Sequence, residues 1–279
     1  MNSKNSTMIE LAPHNLCTGC TSCANTCPHH AITMQADGEG FLYPAIDRNL
    51  CVECGLCTKR CPILLPEQQK NESSPKAFAL WSYPDRTVSS SGGAFSAFAR
   101  SVIKKGGRVW GAAFVGKLKC RHVESDSLDG LAALRGSKYV QSDLGSVFSL
   151  IKEELQQGIQ VLFCGTPCQV AGLQAYLHKG YDNLLTLDLA CHGVPSDAIL
   201  QAYIKKLSVK KGINIDKFEF RRLNGWGFAP AVEIRGKLCP IYGIDDLYMR
   251  AFDRSALFRL SCYSCPYARI PRVGDCTIA

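Results

Sequence analysis

The chain of 279 residues contains no run of 18 apolar residues, so no segment reads as a membrane-spanning helix. It has no long run of Lys or Arg. Lys104-Lys105 and Lys210-Lys211 are isolated pairs of the kind that close helices or sit in loops. The formal charge, 32 basic minus 24 acidic residues, is +8, and without a basic block it argues against nucleic-acid binding. The stretch Met1 to Glu10 is polar and lacks the apolar core of a secretory signal. No Ser-His-Asp or paired-carboxylate arrangement suggests hydrolysis. Apolar residues make up 46% and charged residues 20%, as in a globular protein. A length of 279 residues suits two domains.

Cysteine is abundant. Eight of the 16 cysteines lie in the first 61 residues, in two copies of one spacing. The first is Cys17-x-x-Cys20-x-x-Cys23-x-x-x-Cys27-Pro28, the second Cys51-x-x-Cys54-x-x-Cys57-x-x-x-Cys61-Pro62. This is the bacterial ferredoxin run for two 4Fe–4S clusters, in which the fourth cysteine of each run ligates the other cluster. The expected quartets are Cys17, Cys20, Cys23 and Cys61, and Cys51, Cys54, Cys57 and Cys27. The prolines turn the chain away after each crossed ligand. Structural zinc would use four ligands in two paired knuckles, without a proline after each run of four. A disulfide framework would require a secreted chain. An oxidised cluster with its four thiolates carries about −2, so two clusters bring the net charge to roughly +4. Thiolate-bound iron and unpaired cysteines imply a reducing compartment, the cytoplasm.

The expected fold is an α+β ferredoxin-like module with two 4Fe–4S clusters over residues 1–65, followed by an α/β domain with a mostly parallel or mixed sheet over 77–279. The polar, proline-bracketed stretch 66–76 reads as a linker. Within the first module, Ala31–Met34 and Phe41–Tyr43 flank Asp37-Gly38-Glu39-Gly40, a hairpin signal. In the second, strands are expected over Ala77–Trp81, Arg108–Phe114, Val161–Cys164, Leu184–Leu189, Lys217–Arg222 and Ala231–Arg235. Helices are expected over Gly93–Lys104, Ser146–Gln157, Pro167–His178 and Ser196–Leu207. The chain stops at Thr277-Ile278-Ala279 within an apolar, strand-like segment, as a fragment of a longer sequence would.

Four segments of the α/β region carry more than fold information. Ser89-Ser90-Ser91-Gly92-Gly93 precedes a helix; it suits either an anion at the helix N-terminus or a loop with a good cap. Gly136-Ser137-Lys138-Tyr139 suits a phosphate with a ring stacked on Tyr139, although Gly-Ser-Lys is common in loops. Cys164-Gly165-Thr166-Pro167-Cys168 is a strand-to-helix turn at the carboxyl end of a strand, where open α/β sheets bind ligands. Cys168 on the first helical turn is either a redox thiol or a metal ligand. Cys191-His192-Gly193 lies at a second strand end. With Cys262-x-x-Cys265, the cysteines at 168, 191, 262 and 265 would make a third 4Fe–4S site. Cys120, Cys239 and Cys276 have no partner spacing and read as structural.

The segments SSGGAFSAF (90–98), GSKYVQS (136–142), VLFCGTPCQVAGLQAYL (161–177), DLACHGVPS (188–196), FRRLNGWGF (220–228) and SCYSCPYARIPRVGDCTIA (261–279) resemble the beta subunit of coenzyme F-420 hydrogenase/dehydrogenase in its form with a fused N-terminal ferredoxin. The resemblance covers nearly the whole chain. In that family the C-terminal motif continues past Thr-Ile-Ala into Asp-Phe-Trp-Gly. The resemblance implies FAD in the α/β domain and a 4Fe–4S cluster beside it. It makes Ser91, Gly92, Gly93, Lys138, Tyr139, Gly165 and Thr166 the expected FAD contacts, and Cys168, Cys191, Cys262 and Cys265 the expected additional ligands. The implied activity is oxidoreduction between a hydride carrier, deazaflavin-like or nicotinamide, and one-electron partners. Two other roles stay open: an electron-transfer subunit of a larger redox complex, and a flavin-dependent reductase of a small organic substrate.

Overall fold

The computed structural model describes residues 9–65, 74–221, 230–242 and 246–279. Positions 66–73 of the expected linker and 222–228 of the FRRLNGWGF segment lie outside the described residues.

Two short helices and a hairpin make the N-terminal module: α1 (Ser22–Thr26), β1 (Ile32–Ala36), β2 (Leu42–Ile46) and α2 (Leu56–Lys59). The strands pair antiparallel, with Ile32 opposite Ile46 and Ala36 opposite Leu42. The turn forms because Asp37 Oδ1 accepts the amides of Glu39 and Phe41 at 3.0 and 2.9 Å. Both helices start on a left-handed residue, Thr21 and Gly55, which lets the chain reverse direction between successive cysteines.

The second region is built on a five-stranded sheet of order β10-β6-β5-β3-β4. Its strands are β3 (Arg108–Val115), β4 (Lys119–Ser125), β5 (Val161–Gly165), β6 (Leu184–Leu189) and β10 (Cys276–Ile278). β3, β5, β6 and β10 run parallel, and β4 pairs antiparallel with β3. The period of two along β5 divides the core. Val161 and Phe163 pack with α5 (Val147–Gln156) and α6 (Pro167–Leu177) on one face. Leu162 and Cys164 pack with α3 (Ala94–Ile103) and the short α4 (Leu131–Leu134) on the other. A third core gathers α7 (Asp197–Lys211), α8 (Leu247–Asp253) and an antiparallel sheet of β7 (Phe218–Glu219), β8 (Ala231–Ile234) and β9 (Lys237–Pro240). α7 begins with Ser196 Oγ accepting the Ile199 amide at 3.2 Å and ends on Gly212 in the left-handed region.

The four expected helices form, α7 running four residues further than expected. The strand expected over Ala77–Trp81 does not form: the segment is irregular, with Phe78 82% and Trp81 62% exposed. Its β-type composition finds no strand edge to pair with. The segment expected at Lys217–Arg222 yields only Phe218–Glu219 within the described residues, and it joins the small sheet rather than the central one, as does β8.

The N-terminal module packs directly on the α/β region. Asn25 Nδ2 donates to the Gly145 carbonyl at 2.8 Å, and Gln141 Nε2 donates to the Thr18 carbonyl at 3.0 Å. Gly40 is glycine because a side chain there would run into Ala198 at the start of α7.

Candidate redox site

No two cysteines are joined by a disulfide. Twelve of the sixteen fall into three groups of four. In the first, burial pushes the Cys20 thiol up to about 12, and Cys61 and Cys17 raise it further. Cys23 is pushed up by burial and then by Cys20, Cys17 and Cys61. The sulfurs at 17, 20, 23 and 61 therefore share one neighbourhood, although 34 residues separate Cys27 and Cys61, the last positions of the two runs. A small apolar cavity lined by Cys27, Cys51, Cys54 and Cys57 marks the second group. The crossed pairing expected from the spacing is the pairing that the fold brings together.

The third group assembles from three places in the chain. Cys168 sits on the first turn of α6, Cys191 follows β6, and Cys262 and Cys265 lie in the segment before β10. Burial pushes the Cys168 thiol up, with further effect from Cys191, Cys262 and Cys20, so burial outweighs the helix dipole at this position. Cys191 borders the main cavity and is exposed there, yet enough protein surrounds its sulfur to push the thiol to about 11, with Cys262 and Cys265 adding to the effect.

These surroundings suit iron–sulfur clusters. Among the described residues no three His, Cys, Asp or Glu side chains converge on a single metal ion. Backbone amides already point at the sulfurs: Ala31 N donates to Cys27 Sγ at 3.4 Å, and amides of Ser22, Thr58, Gly193 and Val194 act on Cys20, Cys57, Cys191 and Cys262. The buried Tyr267 hydroxyl has no hydrogen-bond partner among the described residues. Burial raises its pKa, with Cys20, Cys168, Cys61 and Cys265 contributing. It is a donor lodged between the first and third quartets, where a cluster sulfide would accept a hydrogen bond from it.

One helix joins the two quartets. α6 carries Cys168 at its start, and Gly172, one turn later on the same face, faces Cys20. A Cβ at Gly172 would lie 2.7 Å from Cys20 Cβ and 3.0 Å from its Sγ.

The main cavity, of about 1220 Å³, opens over the carboxyl ends of β5 and β6 and the N-terminus of α3. All seven expected cofactor contacts line it: Ser91, Gly92, Gly93, Lys138, Tyr139, Gly165 and Thr166. Their roles within it differ. α3 starts on Gly93 at φ 91° with no side-chain cap, at the cavity wall. Gly92 admits the Leu80 carbonyl, which a side chain would strike. The Lys138 ammonium donates to the carbonyls of Ala133, Leu134 and Arg135 at 3.0, 3.0 and 2.7 Å. Burial lowers its pKa to about 8, and it closes the end of α4 instead of pointing a free charge at a phosphate. The Tyr139 ring packs against Phe220 and Phe252. Cys191 and His192 also line the cavity, so one wall of it is the edge of the third quartet.

Residues 159–279 match the family model for the C-terminal part of the coenzyme F420 hydrogenase/dehydrogenase beta subunit, and residues 16–63 match that of a 4Fe-4S dicluster domain. Over residues 159–279 the chain is therefore similar to the coenzyme F420 hydrogenase/dehydrogenase beta subunit, and over residues 16–63 to dicluster ferredoxin domains. It carries an N-terminal ferredoxin domain and is an iron–sulfur electron-transfer protein. A chain of the F420-reducing [NiFe] hydrogenase complex from Methanosarcina barkeri is similar, at 17% identity and a TM-score of 0.49. The match covers 70% of this chain and 66% of that one, just under two thirds of its length. No curated protein matches. No helix among the described residues is long and apolar enough to cross a membrane.

Several residues of the site carry no spacing signal. His122 on β4 is buried under the cavity floor, bonded through Nε2 to the Cys164 carbonyl at 3.0 Å and through Nδ1 to Ser142 Oγ at 2.8 Å. Gln169 Nε2 donates to the same Ser142 Oγ at 2.9 Å, and its Oε1 accepts the Thr166 amide at 3.0 Å. Together they brace the turn that holds Gly165 and Thr166. The alternation of Cys120, His122 and a charged face along β4 is the trace such a strand leaves in sequence.

Proposed function

We propose that the protein is an iron–sulfur flavoprotein oxidoreductase that passes electrons between a hydride carrier, deazaflavin-like or nicotinamide, and one-electron partners. The carrying observation is adjacency: a cavity large enough for a dinucleotide shares Cys191 with the third quartet, and α6 links that quartet to Cys20 of the first. At about 1220 Å³ the cavity exceeds the roughly 300–1,000 Å³ of most small-ligand pockets. Bound there, FAD supplies the exchange between two-electron hydride chemistry and single electrons. The α3 amides and the Ser89–Gly93 loop would hold its diphosphate, with Gly165 and Thr166 closing over it. Gly92 and Gly93 let that loop pack on Leu80, Ser82 and Asp85, which sets its course along the cavity. Cys17, Cys20, Cys23 and Cys61, then Cys27, Cys51, Cys54 and Cys57, would ligate two ferredoxin-type clusters, and Cys168, Cys191, Cys262 and Cys265 a third. The electron path then runs from cavity to third quartet to first to second, in either direction. In this reading residues 1–65 are a two-cluster ferredoxin-like module, 77–279 the flavin domain, and 66–76 the link.

A second role, as a subunit docking on a larger redox complex, is favoured by the surface around the second quartet. Cys54 is exposed, and Leu50 and Val52 beside it are 50% and 58% exposed. Apolar side chains around an exposed ligand suit a protein partner.

Protein purified without oxygen should contain about twelve irons, matching acid-labile sulfide and one FAD per chain. It should reduce a dye acceptor with a deazaflavin or nicotinamide donor. About eight irons and no flavin would reduce the protein to an electron carrier. Activity appearing only with an added partner would select the subunit role.

A further inference from the structure

Arg259 is 1% exposed and is the largest of the fully buried side chains. Its Nε donates to the Cys17 carbonyl at 2.7 Å, Nη2 to the Leu42 carbonyl at 2.8 Å and Nη1 to Gln141 Oε1 at 3.1 Å. The guanidinium lies 4.0 Å over the Tyr43 ring and 5.5 Å from the centre of Phe41. Gly19 leaves room for it: a Cβ there would sit 2.9 Å from Nη1. Its own carbonyl accepts the Cys262 amide at 2.9 Å, and after burial and neighbouring thiols its charge bears on the Cys262 thiol. The side chain thus stands between the first quartet and the third.

A guanidinium stays charged in any protein, and a lone buried charge is strongly disfavoured unless an opposite charge compensates it. Arg259 forms no ion pair with a carboxylate among the described residues. Its acceptors are neutral carbonyls and an amide. The anions within reach are those the first and third quartets would hold, each at about −2 with its thiolates, and the 2.7 Å bond to the Cys17 carbonyl sets the fork against the first. We propose that Arg259 is the counter-charge of the cluster at Cys17, Cys20, Cys23 and Cys61 and a positioning residue for electron transfer, holding that cluster at a higher reduction potential than the surface cluster of Cys27, Cys51, Cys54 and Cys57. Reduction adds one electron, forms and breaks no bond, and deepens the negative charge that the guanidinium faces. A buried cation beside the cluster favours the reduced state. The surface cluster has no such neighbour among the described residues. Electrons therefore rest at the cluster next to the α/β domain.

This inference rests on the first quartet holding a 4Fe–4S cluster, which iron, sulfide and the spectrum of the unaltered protein test by themselves. The test of Arg259 is an EPR-monitored redox titration of the full chain with dithionite. Arg259→Met removes the charge and its bonds, and Arg259→Lys keeps the charge without the fork. Gln141→Glu keeps the fork and sets a carboxylate against it, cancelling the charge in place; because it also gives up the Gln141–Thr18 bond, Gln141→Met, which loses that bond without adding charge, is its control and should leave the waves in place. Gln141→Glu and Arg259→Met should each move one cluster wave to lower potential by at least about tenfold in the one-electron equilibrium, about 59 mV. The wave of the surface cluster should stay where it is, and Arg259→Lys should restore most of the shift. If Arg259→Met loses iron, Gln141→Glu decides. Waves that stay fixed in Gln141→Glu at full iron content, or that all move together, overturn the proposal.

Discussion

Gly172 is the point at which helix packing and cluster binding meet, and replacing it with alanine sets two opposed effects against each other. Within a helix, Gly→Ala ordinarily stabilises by about 1 kcal/mol, because alanine loses less backbone entropy. Here the new methyl would lie 2.7 Å from Cys20 Cβ and 3.0 Å from Cys20 Sγ, against an ordinary carbon separation of about 3.5–4.0 Å. The obstructing atoms are a Cβ and its sulfur on a short side chain tied to the N-terminal module, not the free end of a flexible chain. About 1 Å of displacement must be found between α6 and the Cys20 loop, and overpacking of this kind costs about 1–3 kcal/mol. The net expectation is a loss of about 1 kcal/mol, or about 2–4 °C in melting temperature for a chain of this size. The loss of function should be larger than the loss of stability, since Cys20 is displaced from its quartet. Iron per chain should fall by about four, with flavin retained. The measurements are iron content and thermal melting under argon. A Gly172→Ala protein with full iron and a raised melting temperature would refute the reasoning, because helix propensity would then have won.

Cys54→Ser should lower iron by about four without altering bound flavin, whereas Cys191→Ser should lower iron by the same amount and also perturb the flavin absorbance, since Cys191 lines the cavity; identical flavin spectra in the two variants would separate the third quartet from the cavity. Burial lowers the His122 pKa from 6.5 to about 4, so below pH 6.5 the unfolded chain takes up a proton that the folded chain refuses. Stability should hold above pH 6.5 and fall by up to about 3 kcal/mol as the pH drops towards 4, and His122→Gln should flatten the urea midpoint over that range. Asp188 is fully buried, accepts the amides of Val273 and Gly274 at 3.1 Å each and pairs with Arg272 at 3.4 Å. Asp188→Ala should cost about 3 kcal/mol in denaturant unfolding, and a loss within the error of the midpoint would remove Asp188 as the anchor of the β10 segment.

The cysteine runs are legible because cluster chemistry dictates spacing as well as residue type, so the crossed quartets are expected from position alone. α6 is legible from Thr166, Pro167 and Gln169, whose side chains and ring specify a helix start without tertiary help. Ala77–Trp81 misleads because its composition suits a strand and nothing in the local sequence says whether an edge is available to it. β4 hides for the opposite reason: its buried positions are Cys120, His122 and, on the other face, Ser125, which are too polar to read as a core. Lys138 is expected at a phosphate because Gly-Ser-Lys resembles an anion loop. Its actual acceptors are the carbonyls ending α4, which no spacing rule marks. Arg259 is out of reach of sequence reasoning, since its burial is created by a module some 217 residues earlier at Leu42.

The rigid span of α6 from Cys168 to Gly172 also bears on timing. Electron hopping depends steeply on separation, and in many redox proteins a mobile domain must swing into place before transfer occurs. Here α6 carries Cys168 and, about 6 Å further along, packs Gly172 against Cys20 of the N-terminal module. The spacing between clusters held at these two quartets would thus be set by the close packing of α6 on the Cys20 loop, with no hinge between them. Transfer between them should be insensitive to solvent viscosity, leaving partner encounter at the exposed Cys54 end as the step that diffusion controls.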